Sequence, residues 1–379
     1  MYIFKTPAGT WAFRVDIGTD PRTGKRRQKS RQGFQRKKDA EAAARELQTQ
    51  IQRQSYVMDS PLTFAQFTKD WMERYRLTVK ESTYKARIPD VNALLSQFGK
   101  VPIQKIDLRT YQSAITELSK HYAISTLRLI HNSAQMIFKD ARRYEIIAKD
   151  PTEFARLPKA PDSIGVKLPT YLDREQLEEF LEATKASRPE QDYTMFLLLA
   201  YTGLRIGEAM ALTWEDVDFS ARQITVNKTL FYSAGKYKLT TPKTRRSNRV
   251  LDVPAVVLSA LKSHKREQAG ARLAAGSHWH KPENYVFTTP TDPGRATNRS
   301  YWREHIKAVL KLCPDLPFIH PHSFRHTHAS LLAEAGVSLE EIVDRLGHTA
   351  DGVTRKIYLH VTKGRRKQVA EQFARFMGQ

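Results

Sequence analysis

The sequence is poor in cysteine, with one, Cys313, among 379 residues. A single cysteine excludes an internal disulfide framework and any zinc site built on several cysteines. Long apolar runs are also missing: the longest, Met195–Tyr201, ends after seven residues, whereas a membrane span needs ~18. Arg14 and Asp16 interrupt what would be the apolar core of a signal peptide. These absences predict a cytoplasmic protein with no membrane partner.

Acidic residues are too few to balance the basic ones. There are 62 Lys and Arg against 40 Asp and Glu, which gives a net charge of +22 and a pI near 9.9. The excess is densest in residues 1–60, where 13 basic side chains face 6 acidic ones. This balance predicts a polyanionic partner, nucleic acid before a membrane surface. The alternative is a basic protein that is merely soluble.

The first 55 residues have the pattern of a small sheet followed by a helix. Apolar residues alternate along a strand from Trp11 to Ile17, between shorter strands at 2–5 and 25–31. A helical stripe of Ala and Leu residues then begins at Ala40. We predict a three-stranded sheet with one face on the helix and a basic face that docks in a DNA groove, or is simply solvated. The predicted DNA-contacting residues are Arg14, Lys25, Arg26, Arg27, Lys29 and Arg31.

The sequence after residue 55 has the pattern of two further domains. Together with the N-terminal domain they predict a multidomain α+β fold. After a linker at 54–62, a capping box at Thr63–Gln66 begins a helical pattern that predicts an all-α domain over 63–160. A second linker at 158–163 leads to residues 165–379. This part is mixed and mainly α, with a small antiparallel sheet predicted from strands at 223–230, 237–241 and 249–253.

Four polar stretches stand out in this last part, at 202–208, 241–246, 320–328 and 346–361. Arg205 follows a buried apolar segment, and a guanidinium held there suits an anion such as phosphate. Taken singly, each stretch has an ordinary explanation. Arg205 could pair with Glu208, and Lys243 could be an exposed hairpin lysine. A metal site is not predicted, because His322 and His326 lack the glutamate of a metalloprotease pair.

Together and in this order, the stretches resemble the tyrosine recombinase (phage integrase) family. The motifs are Thr-Gly-Leu-Arg-x-Gly-Glu, then His-x-x-Arg-His, then Leu-Gly-His with a tyrosine ten residues further on. The likeness extends over nearly the whole chain. Residues 63–160 resemble the family's helical core-binding domain, and residues 165–379 resemble its catalytic domain with a C-terminal trans-packing helix. Residues 1–55 resemble the arm-binding domain of conjugative-transposon and phage integrases, on pattern and charge alone.

The resemblance implies an enzyme that cuts and rejoins DNA through a covalent 3′-phosphotyrosine, to integrate and excise a mobile element. No ATP is implied, because the covalent adduct conserves the phosphodiester energy. No metal or other cofactor is implied either, because protein cations hold the phosphate. The implied catalytic set consists of two phosphate clamps, a further hydrogen-bond donor, a general acid, a proton acceptor and the nucleophile: Arg205 and Arg325, His348, Lys243, His322 and Tyr358.

The resemblance also implies partners. These are double-stranded DNA at core and arm sites, a homotetramer on that DNA, a small excisionase and a host protein that bends DNA. Val369, Phe373 and Phe376 recur at helical spacing near the C-terminus, which favours packing of this segment on a neighbouring subunit over folding back on its own domain. His326, His328 and His360 are interpreted as packing or phosphate contacts.

Two other functions share many of these features. A type IB topoisomerase uses the same phosphotyrosine chemistry as a monomer, but the separate N-terminal module and the phenylalanine-rich tail disfavour it. A non-catalytic DNA-binding regulator would keep the basic surfaces, yet it would have no need for the six catalytic residues in family order.

Overall fold

The computed structural model describes residues 1–19, 23–52, 60–159, 170–233, 236–240, 248–280, 284–347, 352–361 and 377. The chain divides into two compact units, Met1–Ile164 and Gly165–Gln379. Among the described residues, no helix is long and apolar enough to cross a membrane.

The first unit begins with the predicted antiparallel sheet, in the strand order β1-β2-β3, and a helix. Alternation along β2 buries Phe13 and Val15 against Ala44 and Leu47 of the helix, which confirms the predicted packing. The element bounds are β1 Tyr2–Lys5, β2 Trp11–Thr19, β3 Arg26–Phe34 and α1 Lys37–Gln52.

The strand register divides the predicted DNA-contacting residues between both faces of this sheet. Arg31 and Lys29 of β3 pair directly with Phe13 and Val15 of β2, so they share the face that packs on α1. Arg14 lies on the opposite face. The prediction of one basic face opposite the helix is therefore wrong for Lys29 and Arg31, because successive side chains of a strand alternate.

Four helices form the rest of the described part of the first unit. Their core contains Phe64, Trp71, Phe98, Tyr111 and Phe138, each at most 3% exposed. The predicted capping box is present, since the Thr63 hydroxyl accepts from the Gln66 amide and the Gln66 side chain accepts from the Thr63 amide. The bounds are α2 Phe64–Thr78, α3 Glu81–Phe98, α4 Leu108–Leu118 and α5 Ile124–Arg143.

The second unit is built around α7, whose residues 195–200 are all buried, with helices packed around it and short strands at its side. Its helices are α6 Arg174–Ser187, α7 Glu190–Thr202, α8 Ile206–Ala211, α9 Ala255–Ala275, α10 Arg299–Leu310, α11 Ser323–Glu334, α12 Leu339–Leu346 and α13 Gly352–Val361. Its strands are β4 Val217–Asp218, β5 Gln223–Val226, β6 Thr229–Ser233, β7 Lys236–Thr240 and β8 Arg249–Asp252.

The predicted single strand at 223–230 is wrong, because the structure breaks it into two strands of different sheets. β5 lies between β4 and β8, whereas β6 pairs with β7 as a hairpin. The break falls at Lys228, whose ammonium bonds Asp216 at 2.6 Å and Thr213 at 3.1 Å. Anchoring this lysine to the turn before β4 separates the hairpin from the three-stranded sheet.

Candidate active site

A tight turn positions Arg205 between α7 and α8. Gly203 caps α7 in the left-handed region, at φ 63°. A Cβ at this residue would lie 2.6 Å from Leu346 Cδ2 and 2.8 Å from His328 Cδ2, so only glycine fits. The chain then enters α8 with Arg205 as its N-cap residue.

Arg205 is held by a buried carboxylate. Its Nη1 donates to Glu208 Oε1 at 2.7 Å, and Arg249 Nη2 donates to Glu208 Oε2 at 3.0 Å. Burial raises the pKa of Glu208, but the charges and hydrogen bonds of Arg249 and Arg205 outweigh it and lower that pKa below its ordinary value. The ion pair considered from the sequence is therefore present. It fixes the arginine without using all five of the N–H donors of its guanidinium.

Replacing Glu208 with Gln is expected to destabilise the second unit. The side chain is 3% exposed, and the substitution removes a buried negative charge that Arg205 and Arg249 share, a change that costs about 3 kcal/mol. For a unit of this size the melting temperature should fall by about 6–12 °C. Thermal unfolding followed by circular dichroism measures it. The control E182Q, on the exposed face of α6, should melt like the wild type.

Arg325 brings three of the four polar stretches together. It is 3% exposed, near the start of α11. Its Nη1 donates to the Gly203 carbonyl at 2.7 Å and its Nη2 donates to the Leu346 carbonyl at 2.7 Å. These carbonyls lie at the C-terminal ends of α7 and α12, where the helix dipole favours a cation. The guanidinium is thus fixed by groups 122 and 21 residues away in sequence.

His322 lies at the N-terminus of α11, with its ring 4.7 Å from that of His326 in an edge-to-face arrangement. The residue is exposed, yet protein atoms around the imidazole partly desolvate it. This desolvation, followed by the effects of His326, Arg325, His320 and Arg205, lowers the pKa of His322 to about 4. The imidazole is therefore neutral at pH 7 and carries an unprotonated ring nitrogen, while the lowered pKa also makes it a weaker base than a free imidazole.

A cavity of about 440 Å³ opens beside these groups. Arg205 and His322 line it, together with two arginines that sequence reasoning missed, Arg299 and Arg303 at the start of α10. No motif marks these two, although two arginines four residues apart in a predicted helix are a visible like-charge pair. The cavity makes this part of the unit a candidate site for an anion. Its lining residues are Arg205, Ile206, Arg299, Ser300, Arg303, His320, Pro321 and His322.

Tyr358 lies on α13, a helix that the sequence analysis did not predict. The helix packs against α11, which carries His322 and Arg325. The half-buried Tyr358 ring contacts the cluster formed by Ala329, Ala333, Ile342 and Leu346. The predicted Lys243 and His348 lie outside the described residues.

His328 is a buried packing residue, one of the two roles predicted for it. Its Nδ1 bonds the Ala200 carbonyl at 2.8 Å, and its Nε2 accepts from Arg345 Nε at 3.1 Å. These partners require a neutral ring with the proton on Nδ1. Burial, reinforced by the Arg345 charge, lowers the pKa of His328 to about 3.

We expect His328 to make the second unit sensitive to acid. Its folded-state pKa lies below the unfolded value of about 6.5, so its contribution to stability is complete above pH 6.5 and declines as pH falls towards 3. Lowering the pH from 6.5 to 5 should cost about 2 kcal/mol at this residue. Melting curves of H328N, which cannot titrate there, should be flatter over this range than those of the wild type. The exposed-residue variant H278N should keep the wild-type pH dependence.

Groups of three or more His, Cys, Asp or Glu side chains that could hold a metal ion were not found among the described residues.

Sequence families match about four fifths of this chain. The Phage integrase family matches residues 170–365, the Arm DNA-binding domain matches residues 3–51, and the Phage integrase, N-terminal SAM-like domain matches residues 63–119.

Similar full-length proteins carry consistent names. A Tyrosine recombinase XerC-like protein of Caldanaerobacter subterraneus subsp. tengcongensis is 29% identical over 355 residues, 88% of each chain. The ICEBs1 integrase of Bacillus subtilis is 27% identical over 380 residues, covering 98% of this chain and 99% of its own.

Solved structures share the fold. The Tn1549 transposon integrase in complex with transposon right end DNA has a TM-score of 0.69 at 22% identity, covering 82% of this chain and 100% of that one. A lambda integrase dimer bound to a COC′ core site has a TM-score of 0.58 at 15% identity, covering 94% of each chain.

Proposed function

This chain belongs to the phage integrase family, and from that membership and its site geometry we propose how it acts as a site-specific tyrosine recombinase. The Tyr358 hydroxyl attacks a DNA phosphodiester, the Oη–P bond forms and the bond from phosphorus to the 5′-oxygen breaks. The product is a 3′-phosphotyrosine and a free 5′-hydroxyl. The reverse attack by a 5′-hydroxyl of another strand completes strand exchange and releases the tyrosine.

The convergence of the motifs on Arg325 carries this proposal. Its guanidinium bonds the carbonyls of Gly203 and Leu346, which lie two residues from Arg205 and His348. One side chain therefore ties together the chain segments that hold three predicted phosphate-binding groups. Cations fixed in this way stabilise the charge that develops on the phosphoryl oxygens, without having to reorganise during the reaction.

Proton transfer is assigned to two further residues. The neutral imidazole of His322 takes the proton of the Tyr358 hydroxyl. Lys243, in the polar stretch 241–246, donates a proton to the leaving 5′-oxygen, which is the role that the family resemblance implies for it.

We assign DNA recognition to all three domains: residues 1–55 to arm sites, and residues 63–160 and 165–379 to core sites. The N-terminal assignment is supported by the open face of the sheet, where the Arg14 guanidinium lies 5.9 Å from the centre of the Phe4 ring and Arg26 pairs with Asp16 at 3.1 Å. Tyr2, 66% exposed, stacks on Phe4 beside them. A flat face of aromatic rings and arginines suits contact with the DNA backbone and groove.

A trapped covalent intermediate tests the chemistry. A nicked duplex that carries the element's own attachment core loses its short 5′-hydroxyl strand after cleavage, so the adduct cannot religate. With EDTA present and no ATP, we expect a protein–DNA adduct on a denaturing gel, joined through a 3′-phosphate to Tyr358 by peptide mass. An adduct on any other residue would contradict the mechanism. A strand-exchange assay with two duplexes then separates recombination from topoisomerase-like relaxation.

We assign the homotetramer to docking of the C-terminal segment of one copy into a groove of the next. The groove, about 920 Å³, lies between α6, α11 and α12. Leu177, Leu181 and Leu331 line it, as do four carboxylate side chains and two arginines. Residues 362–379, mostly outside the described residues, contain five basic residues and one acidic residue, with Val369, Phe373 and Phe376 at helical spacing. The apolar and basic residues of this segment therefore complement the leucines and the carboxylates of the groove.

Removing this segment should separate assembly from cleavage. A chain that ends after residue 367 is expected to form the Tyr358 adduct on a single core site within about threefold of the wild-type rate, because no catalytic group is lost. It should fail to form a tetramer on DNA by multi-angle light scattering, and strand exchange should be lost with it. Tetramers of wild-type stability from the shortened chain would contradict the docking.

A further inference from the structure

The cavity beside Arg205 and His322 carries more positive charge than the predicted catalytic set supplies. Three guanidiniums line it, those of Arg205, Arg299 and Arg303. None of the described residues that line it is a carboxylate. The acidic neighbour of Arg303 is Glu304, at 3.6 Å and itself exposed, which is a weak pairing. Like charges gathered around a concave surface favour occupation by an anion.

The two arginines of α10 are unfavourable for the helix that carries them. Arg299 is the first helical residue, after the N-cap Asn298, and a cation there opposes the positive end of the helix dipole at a cost of about 0.3–1 kcal/mol. Arg303 lies one turn further, on the same face, where like charges repel. Residues that break local rules without a structural compensation mark functional positions.

The rest of α10 is firmly anchored, so these arginines project from a rigid support. Trp302 is fully buried and its indole N–H donates to Thr297 Oγ1 at 2.6 Å. On the next turn, His305 Nδ1 lies 2.7 Å from Asp192 Oδ2, a carboxylate that is 0% exposed. The asparagine cap accepts from the Tyr301 amide at 2.9 Å. A helix fixed at these points presents Arg299 and Arg303 to the cavity with little loss of conformational freedom on binding.

We propose that Arg299 and Arg303 hold the DNA phosphate next to the scissile one. The inference rests on the proposed function, in which Arg205 binds the scissile phosphate. Because Arg205 lines the same cavity, the strand that reaches it places a neighbouring phosphate against α10. The two arginines are positioning residues: they fix the register of the strand and do not touch the reacting phosphorus.

The test uses full-length protein, the nicked attachment duplex and single-turnover adduct formation. The double variant R299Q/R303Q should raise the DNA concentration for half-maximal rate roughly tenfold or more. It should also reduce the salt slope of binding by about 0.9, because the two arginines hold one phosphate. The rate at saturating DNA should stay within about threefold of wild type, because the reacting phosphate keeps its own clamps. The single variant R303K, which keeps the positive charge, should keep most of the wild-type affinity for DNA.

Two controls make the result specific. K311Q removes an exposed charge at the C-terminal end of the same helix and should bind like the wild type. In a second control, one duplex carries a neutral methylphosphonate on one side of the scissile phosphate and another carries it on the other side. At one of these two positions the methylphosphonate should weaken binding of the wild-type protein. At that same position it should not weaken binding of R299Q/R303Q any further.

Two results would overturn the inference. One is a double variant that binds like K311Q. The other is a methylphosphonate penalty that is equal in wild type and double variant at both positions. Wild-type protein that forms no Tyr358 adduct at all would instead remove the proposed function, and the two failures are therefore distinguishable in one assay.

Discussion

Replacing Tyr358 with Phe is expected to lower the rate of covalent adduct formation by at least about 10⁴-fold, the scale on which the loss of an enzymic nucleophile is felt. The variant lacks only the hydroxyl oxygen that would bond phosphorus. Its ring keeps the packing against Ala329, Ala333 and Leu346, so α13 should retain its place and DNA affinity should stay within about twofold of wild type.

The measurement is the suicide-substrate assay with fluorescence anisotropy on the same duplex. Tyr201→Phe is a matched control, since this tyrosine is 39% exposed at the end of α7 and does not line the cavity beside Arg205. Cleavage by Y358F at the wild-type rate would show that another residue is the nucleophile. Loss of binding together with cleavage would mean that the hydroxyl supports the fold.

Replacing Arg205 with Lys should lower the cleavage rate at saturating DNA by about 10²–10³-fold. Lysine keeps the charge but not the planar fork that bonds Glu208 and that we propose binds the scissile phosphate. The effect falls on the rate more than on affinity, because the phosphoryl oxygens gain charge in the transition state.

Single-turnover rates over a range of DNA concentrations separate these two quantities for R205K. The same substitution at Arg266, an exposed residue of α9, provides the control and should leave both unchanged. A tenfold weaker affinity at an unchanged saturating rate would instead make Arg205 a binding residue.

The sequence analysis could predict features that depend on residues close together in the chain. Side chains that cap a helix act within four residues, so Thr63 marks a helix start that the structure confirms. The motif around Arg205 is likewise contiguous. The face of the N-terminal sheet on which Lys29 and Arg31 lie was harder to predict, because it depends on the register between β3 and β2.

The rest of the site depends on contacts between distant segments. Arg249 reaches Glu208 across 41 residues, and no spacing rule links a β-strand arginine to a helix glutamate so far away. Arg299 and Arg303 meet the cavity because of how α10 is anchored at Trp302 and His305. The helix of Tyr358 was missed because its sequence, Gly352–Val361, mixes basic, β-branched and apolar residues.

The carbonyls that hold Arg325 also decide when the chain becomes able to cut DNA. The guanidinium reaches its geometry only after α7, α11 and α12 have closed around it, and one of its partners is 122 residues earlier in the chain. Contacts of such long range form late in folding. A nascent or partly unfolded chain would therefore carry the basic surfaces that attract DNA without an assembled phosphate clamp. The basic charge of the chain is thus present before folding, whereas the geometry of Arg325 exists only in the folded second unit.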